Sequence, residues 1–172
     1  MSAPVIITSA ATFHDNAQKV ALTALYKALY DRFSSQSLTD AGIAIKGGSA
    51  SPTAATVNEW IGVAGGKLVA VAAAADLPAL VGTVAHAAFN VFAFFVDNAG
   101  TVTSAMGTAG ASLDLVIFPA TPVGSALLGF VVINPTGTGD FVGGTTNLDD
   151  VTKAPNAVFV NTVGAFDLTM KL

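Results

Sequence analysis

After Leu38 the chain stops repeating apolar residues at helical spacing. It becomes a series of short apolar runs punctuated by glycine, proline, asparagine and threonine every eight to twelve residues. That rhythm constrains the fold more than any other feature, because short antiparallel strands joined by tight turns are what consume turn residues so often. It predicts a mainly β protein, an antiparallel β-sandwich or barrel of jelly-roll-like character. Strands are expected near 42–46, 57–63, 67–73, 88–96, 101–106, 113–118, 126–133 and 157–162. Turn chemistry supports the divisions: Gly65 and Gly66 close a hairpin inside "WIGVAGGKLVAV", "DNAG" at 97–100 closes another, and "PATPVG" separates the strands at 113 and 126.

Ahead of this region lies "TFHDNAQKVALTALYKALYDRF". Thr12 followed by Asp15 resembles a capping box, and Leu22, Leu25, Tyr26, Leu29 and Phe33 repeat at three and four. The spacing predicts a surface helix whose apolar stripe packs on a sheet or on a sister helix, with Lys19, Thr23, Lys27 and Asp31 on the other side. An extended, apolar arm, "SAPVIIT", precedes the helix. The expected organisation is therefore an arm and helix over residues 1–37 and one β-rich domain over 38–172.

One predicted strand, "AFNVFAFFV", is apolar on both faces: Phe89, Val91, Ala93 and Phe95 alternate with Asn90, Phe92, Phe94 and Val96. Antiparallel sheets commonly leave one face to water, so this strand either runs through a thick core or forms a subunit interface. The wider chain has the same character. Charged residues make up 10% against a usual quarter, and 52% are hydrophobic. No lysine or arginine occurs from Leu68 to Thr152, and the formal net charge is −4. Such a surface repels nucleic acid, which requires a cationic footprint. The absence of cysteine excludes disulfides, thiolate zinc sites and cysteine nucleophiles. The first residues lack the basic and long apolar segments of a signal peptide, so synthesis and residence in the cytoplasm are expected. Residues 77–96 are long enough to span a bilayer, but Pro78, Gly82, His86 and Asn90 interrupt them and no basic residue flanks them, so a strand is expected instead.

Enzymatic signatures are weak. In "GFVVINPTGTGDFVGGTTNLDD" Gly137, Gly139 and Gly143 follow a strand, but Val142 stands where a dinucleotide loop needs its third glycine, and no helical stripe follows to hold pyrophosphate. "GVAGGKL" has Ile61 and Leu68 where a P-loop needs glycine and a hydroxyl. His14 falls in the first helical turn, His86 on a strand, and the single glutamate, Glu59, has no acidic neighbour in sequence. Asp140, Asn147, Asp149 and Asp150 are oxygen ligands close in sequence, yet their spacing matches no EF-hand, and Asn and Asp also stabilise turns through their own side chains. No cofactor, metal or catalytic residue is assigned.

The segment P-x-G-x-A-x-x-G-x-V-x-I (122–133), the loop F-x-x-G-T-T-x-L-D (141–149) and N-A-x-x-V-N-x-V-G-A-F (156–166) together resemble virion structural proteins of tailed bacteriophages, in particular head decoration (cement) and fibre-related subunits. The resemblance covers residues 83–167, about half the chain, and leaves out the helix. It implies a non-enzymatic, β-rich homo-oligomer, a trimer in preference to a dimer, on the capsid exterior of a virion, with the major capsid protein as partner and neither nucleic acid nor membrane. A tail fibre or baseplate subunit that contacts a host receptor is the alternative. On this reading Val5, Ile6 and Ile7 add to a partner's sheet edge, and Leu22, Leu25, Leu29 and Phe33 anchor the helix. Gly137, Gly139, Phe141, Gly143, Gly144, Thr145 and Thr146 form an interface loop in which bare backbone approaches a neighbour.

Overall fold

A computed structural model describes residues 16–166. One helix, α1 (Asn16–Phe33), precedes eleven strands. They are β1 (Gln36–Ser37), β2 (Ala44–Ile45), β3 (Ala54–Ala55), β4 (Trp60–Ala64), β5 (Lys67–Val71) and β6 (Thr83–Val84), followed by β7 (Asn90–Val96), β8 (Val102–Met106), β9 (Ala126–Ile133), β10 (Phe141–Val142) and β11 (Val158–Asn161). The pairings are antiparallel, in a three-stranded sheet of order β1-β4-β5, a four-stranded sheet of order β11-β9-β7-β8, and the short pairs β2-β3 and β10-β6. The expected strands at 42–46 and 88–96 are shorter than the periodicity suggested, and 126–133 matches β9 at both ends.

The two larger sheets face each other across one core as an open sandwich, with no closed barrel. Trp60, Ala64, Val69 and Val71 of the three-stranded sheet meet Phe92, Phe94, Val96 and Leu128 of the other, and the short pairs add Ala54, Val84 and Phe141. A bridge between Ser37 and Gly164 links the sheets along one edge. Gly65 and Gly66 have φ of 57° and 78°, the paired positive values a type I′ hairpin needs, so β4 and β5 twist together without splaying.

Every residue of β7 is buried. Phe92, Phe94 and Val96 enter the core between the sheets, while Val91, Ala93 and Phe95 enter a second cluster on the opposite face with Val116, Phe118, Phe130 and Val132. Of the two readings of "AFNVFAFFV", the thick core therefore holds: both faces are covered by this chain. Part of the cover is the stretch expected as a strand at 113–118, and here the structure differs. Leu113–Leu115 is a single 3-10 turn, closed by the Leu115 and Val116 amides and by the Ser112 hydroxyl on Asp114. Val116 and Phe118 still point inward with Ile117 exposed, because extended chain lying on a sheet alternates as a strand does. Phe118 meets Phe130 edge to face at 4.9 Å.

Residues 77–96 divide into a buried Leu77, a loop, β6, a turn and β7. Among the described residues no helix is long and apolar enough to cross a membrane. His86 lies in the exposed turn after β6, not on a strand.

Candidate interaction surface

The helix stripe is where the structure departs most from an ordinary surface helix. Leu22, Leu25, Leu29 and Phe33 are 46–61% exposed, and Ala17 to Leu25 is exposed without interruption. Of the two partners expected for this stripe, a sheet or a sister helix, a sheet of the same chain does not cover it. The chain just after α1 is tied to the β4-β5 hairpin: the Gly66 amide donates to the Ser34 carbonyl at 2.7 Å and the Gly65 amide to the Ser35 hydroxyl at 3.1 Å. Tyr26 and Tyr30, one turn apart, stack with ring centroids 6.3 Å apart. A lone helix of this length is marginal in water, so its stability depends on covering that stripe. Thr12, Asp15, His14 and the arm residues Val5, Ile6 and Ile7 lie outside the described residues.

A second open apolar surface escaped the sequence reading. On the three-stranded sheet Ser37, Trp60, Gly62, Ala64, Val69 and Val71 point into the core. The alternate residues face outward, with Val63 directly opposite Leu68 and Ile61 opposite Ala70, and Leu38 bonded through its amide to the Ile61 carbonyl. Leu68 is 65% and Leu38 45% exposed, and no charged side chain interrupts this face. An outward sheet face is normally polar. The signal was present in "WIGVA" and "KLVAV", where both alternate sets are apolar, but it reads equally as a central strand.

Much of the glycine-threonine loop makes contacts within its own chain. A β-carbon on Gly137 would lie 2.1 Å from the Thr152 carbonyl oxygen, and one on Gly143 2.7 Å from that of Leu80. The bare backbone of this loop therefore approaches other backbone of the same chain. Phe141 is fully buried and packs at 5.9 Å on Phe92, and the buried Thr146 hydroxyl accepts from the Val142 amide. Those four of the seven proposed loop contacts are committed inward. Gly139, Gly144 and Thr145 remain exposed.

The acidic residues are dispersed as turn acceptors. Asp140 accepts from the His86 amide, Asp149 from the Ala50 amide, and Asp150 from the amides of Thr152 and Lys153 and the Thr152 hydroxyl. The Thr152 hydroxyl and amide hold the Asp150 carboxyl below its ordinary value, and the Thr101 and Ala99 amides do the same for Asp97. Among the described residues no three His, Cys, Asp or Glu side chains gather as a metal group. A cleft of about 570 Å³ lies where the end of α1 meets the sandwich, lined by Tyr30, Pro122, Val123, Leu127 and Phe166, with Lys27 the one charged side chain among the described residues that line it. Among the described residues that line it there is no paired acid and base.

No protein-family model, curated protein or solved structure matches the sequence.

Proposed function

We propose that this chain is a non-enzymatic virion structural subunit of a tailed bacteriophage, a head decoration protein that self-associates and adheres to the major capsid protein lattice from the capsid exterior. The observation that carries this reading is the bare apolar stripe of α1, standing off a sandwich whose own core is complete. A folded chain that leaves four large apolar side chains of one helix in water is built to be covered by protein. The charge-poor surface supports the same reading, since repeated docking on a lattice is served by shape and apolar contact more than by ion pairs. The three sequence segments within 122–166 that resemble virion proteins supply the specific context.

Immunogold labelling of virions carrying the encoding genome tests it. Label over the head is expected. Label on the tail assigns the chain to a fibre or baseplate, and unlabelled particles refute a virion role. Attachment should also change little between about 50 and 500 mM salt, a range over which exposed ion pairs are largely screened.

A further inference from the structure

We infer that the apolar stripe of α1 in one copy seats on the outer face of the β1-β4-β5 sheet in a second copy. Helix stripes and apolar sheet faces are the two halves of a helix-on-sheet layer, and each has to be buried against another element. This chain carries one of each, both open. The four-stranded sheet is covered on both faces, by the core and by residues around Phe118, whereas the three-stranded sheet is covered on one. The outer face carries exposed Leu38, Leu68 and Ala70 and half-buried Ile61 and Val63, with Gln36 opposite Val63, and Leu22, Leu25, Leu29 and Phe33 form the exposed stripe.

The two halves do not meet within one chain. The helix leaves the sandwich through Ser34 and Ser35, and both are held at the β4-β5 hairpin tip by the Gly66 and Gly65 amides. Leu22, Leu25, Leu29 and Phe33 stay exposed while Leu38 and Leu68 do too, so the stripe does not cover this sheet face in its own chain.

Dimensions and charge suit a second copy. The five-residue strands β4 and β5 run about 17 Å and a helix stripe is about 10 Å wide, so one helix-on-sheet contact removes roughly 350 Å² counted over both surfaces. Two reciprocal contacts reach about 700 Å², the size of a weak, concentration-dependent association. The outward residues of the three strands carry no formal charge to desolvate, and Lys27 lies off the stripe while Lys19, three residues before Leu22, flanks it. Reciprocal exchange between two copies closes by two-fold symmetry, so the contact does not propagate into a fibre.

The inference rests on the self-association within the proposed function and not on a virion location. Its test is therefore separate from the labelling experiment. Because the chain has no cysteine, single substitutions can report the contact cleanly. Full-length Leu25→Cys and Leu68→Cys chains, co-expressed and treated with a short bismaleimide, should give a cross-linked species of twice the chain mass, while neither chain expressed alone should. Light scattering of the unmodified protein should give a multiple of 17.2 kDa, returning to 17.2 kDa in Leu68→Asp and in Leu25→Asp/Leu29→Asp, with the melting of the sandwich retained in both. A monomeric wild type overturns the inference. So does efficient cross-linking of Leu25→Cys chains alone, which marks a bundle of α1 helices, or an oligomer that survives Leu68→Asp. An internal cross-link in the Leu25→Cys/Leu68→Cys double variant, with no product between chains, overturns it in favour of closure within one copy.

Discussion

The Ser37 hydroxyl donates to the Leu127 carbonyl at 2.5 Å, joining residues 90 positions apart across the two sheets. Leu127 sits where the β7-β9 register shifts, with Phe94 opposite Gly129 and Phe95 opposite Leu127. A bulge of this kind disrupts the ladder locally, and the Leu127 carbonyl is met by two hydroxyls, those of Ser37 and, at 3.1 Å, Thr162. Ser37 also accepts the Trp60 indole N–H at 2.9 Å. Ser37→Ala removes both bonds and leaves the buried indole without its acceptor, which costs about 1–3 kcal/mol. Thr162→Val should cost less, about 0.5–1.5 kcal/mol, because Leu127 keeps Ser37. Urea denaturation followed by the fluorescence of the single tryptophan measures both, and equal losses would refute the assigned hierarchy.

Gly137→Ala and Gly143→Ala each drive a methyl into backbone of the same chain, at Thr152 and Leu80. Each should destabilise the isolated chain by about 1–3 kcal/mol, the usual range for overpacking. Thr145→Val, on the exposed part of the loop, should leave melting nearly unchanged. If the glycines served a contact between copies, the alanine variants would instead melt like wild type below the association concentration.

Asp97 and Asp150 tie stability to acid pH. Their carboxyls are held below the ordinary value of 3.8 by hydrogen bonds, from the Thr101 and Ala99 amides to Asp97 and from the Thr152 hydroxyl and amide to Asp150. Above pH 3.8 both are ionised folded or unfolded, and their full contribution is present. As pH falls, the unfolded chain takes up protons first, so that contribution is lost below 3.8 as pH drops through the folded values. The Asp97→Asn/Asp150→Asn variant should show a shallower decline on that acid limb. An unchanged slope in denaturation midpoints between pH 2 and 4 would refute the assignment.

Three alanines, Ala50, Ala74 and Ala87, adopt φ of 51°, 56° and 62°. A left-handed residue with a β-carbon costs about 1–2 kcal/mol, and glycine returns part of that through its larger unfolded-state entropy. Ala74→Gly, in the exposed turn after β5, should therefore stabilise the chain by up to about 1 kcal/mol, seen as a raised melting temperature. A lowered one would show that this backbone is not strained.

The dispersal of Asp140, Asp149 and Asp150 among separate amide donors has its own consequence. Calcium or EDTA at millimolar concentration should leave the melting temperature within error of the untreated protein. A calcium-dependent rise would mean that these carboxylates leave their amides to share an ion.

The features legible in the amino-acid sequence are local ones. Branched apolar alternation marked β9 at both ends, Gly65 and Gly66 marked the hairpin, and three- and four-residue spacing marked the helix, because turn geometry and side-chain period act over a few residues. Tertiary structure decided which faces are covered. The two-residue strands β6 and β10 carry no periodic signal and exist because Phe141 is drawn into the core beside Val84. Gly137 and Gly143 look the same in sequence whether they meet a neighbouring copy or, as they do, Thr152 and Leu80. Burial depends on what lies across from a residue after the chain has closed on itself. For that reason Phe92 and Val91 proved to be interior on opposite faces of β7, and the equally apolar Leu68 and Leu25 were left in water.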